Sequence, residues 1–345
     1  MKKFKEKVLY INSYINIYLL EPLKKKNKTL HDLVSHAISG GKRLRSVITL
    51  VIGECLNPNI NINKLALAVE LLHNASLILD DMPCMDNDTH RRGKETIHHK
   101  YGQQKAQLLV AYLLRKAFSL IHANYRELIN WRKVESTRLR GEGLSLNESA
   151  SCGGTQDDVA VLDDLETIIY DIYDNINQNM GYLGAATGQF IDICPINSRI
   201  DSSAYKKYYS SVEKLMDLIY LKTTTFFEVG FIPAYLICVP KSKRTSKNRD
   251  KMRRIVRYFG LAFQISDDYE DVQQDLDRVE KEYNPNLICK FGEEKAYGVY
   301  RDAITQFKTL SQDVGIYHCV FKELCDFLDN RVNKHRDILN TIDII

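Results

Sequence analysis

Residues 63–83 read NKLALAVELLHNASLILDDMP. Leu65, Ala68, Val69, Leu72 and Leu79 recur at helical spacing and make one apolar stripe. Asp80 and Asp81 follow the stripe directly. Pro83, which has no N–H to donate and whose ring clashes with the preceding turn, ends the helix just beyond them. The stretch predicts a core helix that delivers carboxylates at its C-terminal end.

The same period runs outward from there. The chain has seven prolines, and β-branched alternation is nearly absent, so we expect an all-α fold. A first helix should end near Glu21-Pro22. Thr29-Leu30-His31-Asp32 resembles a capping box opening a second, which Gly40-Gly41 stops. A third should cover Leu44 to about Cys55, with further helices near 103–128, 161–192, 204–222, 224–238, 249–273, 290–313 and 317–340. The polar run RGEGLSLNESASCGGTQDD falls within 132–160, which reads as a mobile surface insertion or, as the lesser alternative, a lid.

Bulk composition narrows the function classes. With 345 residues, 44% hydrophobic and 27% charged, the chain can bury a large core. Its net charge of +4 gives no basic excess for nucleic acid. No apolar run approaches the ~20 residues of a bilayer span. The eight cysteines are scattered without a CxxC pair, which predicts reduced thiols and a cytoplasmic setting. The basic run over 241–249 reads as a solvated loop, and Asp163-Asp164 as a solvated helix face.

A second acidic cluster, Asp267-Asp268-Tyr269-Glu270-Asp271, follows another apolar helix. Asp267 and Asp271 stand at i and i+4, so one face carries both carboxylates. Their repulsion becomes favourable when a divalent cation neutralises it, and hard oxygen ligands suit Mg²⁺. The first cluster also includes Asp86. Cationic complements lie close in sequence: Lys42 and Arg45 start a helix after Gly40-Gly41, where backbone N–H groups favour anions, and Arg91-Arg92-Gly93 follows the first cluster. A metal-bridged diphosphate needs both kinds of partner. His73 lies two helical turns before Asp80 on about the same face, either as a packed core histidine or as part of that site.

HNASLILDDMPCMDNDTHRRGKETIHHKYG and FQISDDYEDVQQD resemble the two aspartate-rich regions of isoprenyl diphosphate synthases, closest to bacterial-type geranylgeranyl diphosphate synthases. GGKRLRS, GQFID and the Lys-Thr of LKTTTFFE fall in the family's order, so the resemblance covers roughly residues 28 to 340. It implies a single helical bundle over 1–345, with the active-site cavity between core helices, and a homodimer. It implies three Mg²⁺: two held by Asp80 and Asp86 with Asp81 in support, and one by Asp267 with Asp268 and Asp271 nearby. Arg91, Lys222, Thr223, Gln264 and Lys281 would contact the allylic diphosphate. Lys42, Arg45, His73 and Arg92 would hold isopentenyl diphosphate, while Gln189 and Asp192 would organise the floor. Tyr283-Asn284-Pro285-Asn286 replaces the family's later Gly-Lys-Ser/Thr stretch, so a second lysine contact is lost.

The resemblance further implies head-to-tail condensation through an allylic carbocation. Ala75 and Ser76, small residues about one turn deeper than Asp80, leave room for a twenty-carbon product. A farnesyl or longer-chain synthase, a class I terpene cyclase and a non-catalytic partner subunit stay open as alternatives. Both acidic clusters are complete, which a non-catalytic subunit would not need, and a cyclase would not need Lys42 and Arg45.

Overall fold

The computed structural model describes residues 1–141, 156–193, 206–276 and 284–342. Within them the backbone is overwhelmingly helical, as the sequence period predicts; the strands among the described residues are a two-residue pair, His90–Arg91 with Lys94–Glu95. The chain divides into two compact units. No helix among the described residues is long and apolar enough to cross a membrane, and none of their cysteines is in a disulfide.

The unit built from Lys7–Asp174 and Pro233–Arg244 is organised around the helix Asn63–Asp80. Leu65 through Leu72 are all buried, with Asn74, Ala75 and Ile78. The expected stripe is therefore corrected at its end: Leu79 is 40% exposed, and Ala75 and Ile78 take the inner turn. A helix apolar nearly all round is a core element. It packs on Leu44–Leu56 and on the long helix Gln103–Gly141. Its N-terminus has no side-chain cap of its own. Buried Asn124 takes that place, accepting from Leu65 N at 3.0 Å and donating to the Asn61 carbonyl at 3.1 Å.

Three local expectations change here. Pro22 does not end the first helix: Lys2–Ile15 passes through a π-helical segment, Asn16–Leu20, into Glu21–Lys26, whose first turn holds the proline. The proline falls where the helix changes from π to α geometry, a place at which the ladder of hydrogen bonds is already re-registered. The helix Lys28–Ile38 is capped by Asn27, whose Oδ1 accepts from Leu30 N at 3.0 Å, and not by Thr29. Arg244 and Asp164, expected in solvated surfaces, form a buried ion pair at 2.5 Å. Their separation of 80 residues hid the partnership from local charge patterning.

The other unit comprises Met1–Glu6, Asn175–Ile232 and Thr245–Ile345. Phe227, Phe231, Phe259, Phe307 and Phe321 make its aromatic centre, with edge-to-face and tilted pairs such as Phe227–Phe259 at 5.3 Å and Phe259–Phe307 at 5.1 Å. The helix Ser246–Leu276 packs there against Glu293–Asp313 and Cys319–Ile342. The single helix expected over 161–192 is two, Gln156–Met180 and Ala185–Ile193, separated by a turn over 181–184. The helix expected over 204–222 resolves into a 3₁₀ turn, the helix Val212–Ile219 and a π-helical segment, Tyr220–Thr224. Gly292, at φ +86°, divides the 290–313 region into Leu287–Phe291 and Glu293–Asp313.

Candidate active site

Past Pro83 the chain folds back on the helix it has left. Asp86 N donates to the Asp80 carbonyl at 2.9 Å, and Asn87 N to that of Met82 at 3.1 Å, so the backbone itself brings Asp80 and Asp86 together. Asp80 is half-buried, Asp86 exposed and Asp81 buried at 4% exposure. Burial raises the Asp81 carboxyl against the opposing pull of the Arg91 guanidinium, which donates to it. Arg91 also donates to Asp88 at 3.2 Å. The hairpin that carries Arg91 turns through Arg92 and Gly93, both at positive φ. Two successive positive φ values match the twist of a tight hairpin.

The cationic residues gather beside the same helix. Arg45 lies 3.2 Å from His73 Nε2. Desolvation, then the charges of Arg45, Arg92, Arg91 and Arg43, hold the His73 imidazole well below its usual range. Arg43 was not among the expected site residues, and it is buried. It donates to Glu70 at 2.8 Å, to Asn12 at 2.8 Å and to the Ile38 carbonyl at 2.6 Å. Gly41 lies against the tips of the Arg43 and Arg92 side chains, so a Cβ there would meet Arg43 Nη1 at 2.5 Å and Arg92 Nη1 at 3.0 Å and displace the guanidinium groups. Lys42 points out as an exposed side chain. Ala75 is fully packed, and Ser76 donates to the His73 carbonyl at 2.9 Å. Among the described residues the non-glycine positive-φ positions are Arg43, Asn87 and Arg92, and all three flank this cluster. Backbone strain of this kind concentrates at functional sites.

In the other unit the π-helical turn sets Lys222 and Thr223. A Cβ on Gly188 would stand 2.6 Å from Lys222 N, so this glycine lets Ala185–Ile193 lie directly on the turn. Lys222 pairs with Asp192 of that helix, and Gln189 sits half-buried one turn before it. Thr223 donates to Gln264 Oε1 at 2.8 Å, and Gln264 donates in turn to Asp268 at 2.9 Å. The sequence carries no sign of a π turn, although such turns recur at functional sites.

Asp267 and Asp268 face different partners. Asp267 pairs with Arg331 at 2.7 Å, a residue that the sequence reading missed. Asp268, 5% exposed, accepts from Gln264 and from Leu287 N at 3.0 Å, and desolvation lifts its carboxyl to about 7. The Asn284 to Asn286 segment plays a structural part of its own. Asn286 Oδ1 accepts from Ile288 N and Cys289 N, while its amide donates to the Asp268 carbonyl and to Asp275. An asparagine preceding Leu-Ile was a legible N-cap. Asp271 is exposed; desolvation, followed by Asp267, Asp275 and Glu270, raises its carboxyl. Lys281 and most of the 132–160 insertion's side chains lie outside the described residues.

The donor set fits Mg²⁺. Asp267, Asp271 and Asp275 repeat every four residues along one helix, all hard oxygen donors that repel one another. Among the described residues no three acidic, histidine or cysteine side chains already converge on one point. Mg²⁺ usually takes one or two carboxylates and completes its shell with water and substrate phosphate, so that arrangement suits it.

An all-α fold with two carboxylate-bearing helix segments, each accompanied by arginine, agrees with the resemblance to isoprenyl diphosphate synthases. The polyprenyl synthetase model matches residues 27–285, and the chain belongs to that family of prenyltransferases. It is 27% identical to a farnesyl diphosphate synthase of Buchnera aphidicola over 302 residues, 85% of this chain and 86% of that protein. It is 30% identical to a geranylgeranyl diphosphate synthase of Pantoea ananas over 242 residues, 69% of this chain and 63% of that one. A geranyltransferase of Helicobacter pylori, solved with magnesium and isoprenyl diphosphate, shares the fold at a TM-score of 0.60 and 21% identity, covering 99% of this chain and 97% of its own.

Proposed function

We propose that the protein is a Mg²⁺-dependent, head-to-tail prenyl diphosphate synthase that extends allylic diphosphates with isopentenyl diphosphate to geranylgeranyl diphosphate. The observation that carries this reading is the pairing of chemistry within each unit. One unit sets Asp80, Asp81 and Asp86 beside Arg91 and the Arg45–His73 pair. The other sets the Asp267 cluster beside the Thr223–Gln264–Asp268 chain and Lys222.

In this reading Asp80, Asp86 and Asp267 hold the metal. Asp81 and Asp268, already engaged and buried, orient their neighbours, and Asp271 adds charge. Mg²⁺, when bound, neutralises the diphosphate that leaves. Arg91, Lys222, Thr223 and Gln264 bind the allylic diphosphate: Arg91, Lys222 and Gln264 supply N–H donors where negative charge builds as the C–O bond breaks, and the Thr223 O–H orients the Gln264 amide. Lys42, Arg45, His73 and Arg92 bind isopentenyl diphosphate. A neutral His73 adds no charge of its own and serves as hydrogen-bond partner to Arg45. The isopentenyl double bond attacks the allylic cation, a C–C bond forms, and the departed diphosphate takes the proton released from the adjacent carbon. No protein nucleophile is needed. Asp192 fixes Lys222, Gln189 with it organises the floor of the site, and Lys281 adds a contact to the allylic diphosphate. The protein acts in the cytoplasm as a homodimer.

Ala75, small and 1% exposed, supports a twenty-carbon product because it places no aromatic floor one turn below Asp80. Similarity to the Buchnera farnesyl diphosphate synthase over most of the chain favours a fifteen-carbon product as the second reading. Pure protein incubated with labelled isopentenyl diphosphate, each allylic primer in turn and Mg²⁺ should yield labelled geranylgeraniol after dephosphorylation. Label-free or cyclic products would reject the assignment, and labelled farnesol alone would select the second reading.

A further inference from the structure

The second aspartate cluster is joined to a residue from a distant helix, outside the stretch that the family model matches. Arg331 lies on the helix Cys319–Ile342 and is 8% exposed. Its guanidinium is held at three points: Nε donates to Ser266 Oγ at 2.6 Å, Nη1 to Glu270 at 2.7 Å, and Nη2 pairs with Asp267 at 2.7 Å. The rings of Phe263 and Phe327 lie 5.9 and 5.4 Å from it.

We propose that Arg331 sets the cation affinity of this cluster, holding it low until a diphosphate arrives with the metal; the proposal rests on the metal-binding reading above. A planar guanidinium fixed by two hydrogen bonds, packed between two rings and ion-paired with Asp267, is held close to both carboxylates. It therefore stays on Asp267 and Glu270 when a cation approaches. A free dication meets a cluster whose charge is already partly cancelled. A metal accompanied by diphosphate brings the missing negative charge with it. The consequence is ordered loading: the metal settles with the substrate and does not occupy the cluster beforehand.

The test is Mn²⁺ binding followed by electron paramagnetic resonance on the full chain, without and with inorganic diphosphate. The wild type should bind Mn²⁺ at this cluster weakly alone and more tightly with diphosphate. Arg331→Met removes one positive charge at hydrogen-bond distance, and should tighten diphosphate-free Mn²⁺ binding on the order of tenfold. Arg331→Lys keeps the charge and should stay near the wild type. A merely structural role would lower the melting temperature of both variants without tightening metal binding. Unchanged or weaker Mn²⁺ binding by Arg331→Met overturns the proposal. If that variant fails to fold, Arg331→Lys decides alone, and a roughly tenfold change in its Mn²⁺ affinity, with the charge retained, sinks the idea. Wild-type protein that binds no Mn²⁺ even with diphosphate would overturn the parent reading as well.

Discussion

Arg43 donates to Glu70 at 2.8 Å, and the two side chains are 6% and 2% exposed. Ser46 Oγ donates to the same carboxylate at 2.5 Å. In GGKRLR the three basic residues look alike, yet the middle one is buried against Glu70, which leaves Lys42 and Arg45 for the substrate role proposed for them. Removing Arg43 would leave a buried carboxylate short of its cation, which costs about 3–5 kcal/mol. Arg43→Ala should therefore lose that much in urea denaturation. Lys42→Ala should stay within about 0.5 kcal/mol of the wild type, as surface changes do, and raise the KM for isopentenyl diphosphate. Equal stability of Arg43→Ala and the wild type would count against this division of roles.

Asp268 makes metal-free stability depend on pH. Its carboxyl stands near 7 in the fold against an ordinary value of 3.8. A raised folded value means the native state holds the proton longer than the unfolded chain. The stabilisation is thus fully present below about pH 3.8 and is lost as pH rises through about 7. In EDTA, the stability advantage of Asp268→Asn over the wild type should be clearly larger near pH 8.5 than near pH 5. Melting curves across that range check it, and parallel curves for the two proteins would contradict it.

Asn286 caps Leu287–Phe291 and ties it to the aspartate helix through the Asp268 carbonyl. Asn286→Ala loses both the cap and a buried hydrogen bond, at a cost of about 2 kcal/mol. Amide exchange at Ile288 and Cys289 should accelerate well beyond that at Glu293–Asp313. Protection unchanged at those two amides would show that the cap contributes nothing.

The aspartate helices were legible because their signals are local: apolar periodicity, then carboxylates, then Pro83. The all-α character followed from the same period. Three kinds of feature were not legible. The π-helical turn at Tyr220–Thr224 depends on how Gly188 admits a neighbouring backbone, which one segment alone does not encode. Arg331 and the Arg244–Asp164 pair depend on contacts 64 and 80 residues apart in sequence (331 − 267 and 244 − 164). Asn284 to Asn286 was read for the lysine contact it lacks, although its capping pattern was available. Leu79 failed for a simpler reason: the helix is buried nearly all round, so a single stripe understated its inner surface.

Ala75 offers the sharpest check on product length. It lies five residues before Asp80, about 7.5 Å along the axis, and its side chain is 1% exposed. On the proposed reading, a chain whose diphosphate is anchored at Asp80 passes this level before it reaches deeper turns. Phenylalanine there adds an aromatic wall to a packed position, so some overpacking strain of about 1–3 kcal/mol is expected. If the variant folds, the strain and the wall are separable, because strain lowers the melting temperature while the wall shortens the product. Ala75→Phe should shift labelled output from twenty carbons to fifteen, with turnover of the first allylic substrate retained. Chromatography of dephosphorylated products reads this directly. A folded variant that still makes the twenty-carbon chain would place the length limit on another helix.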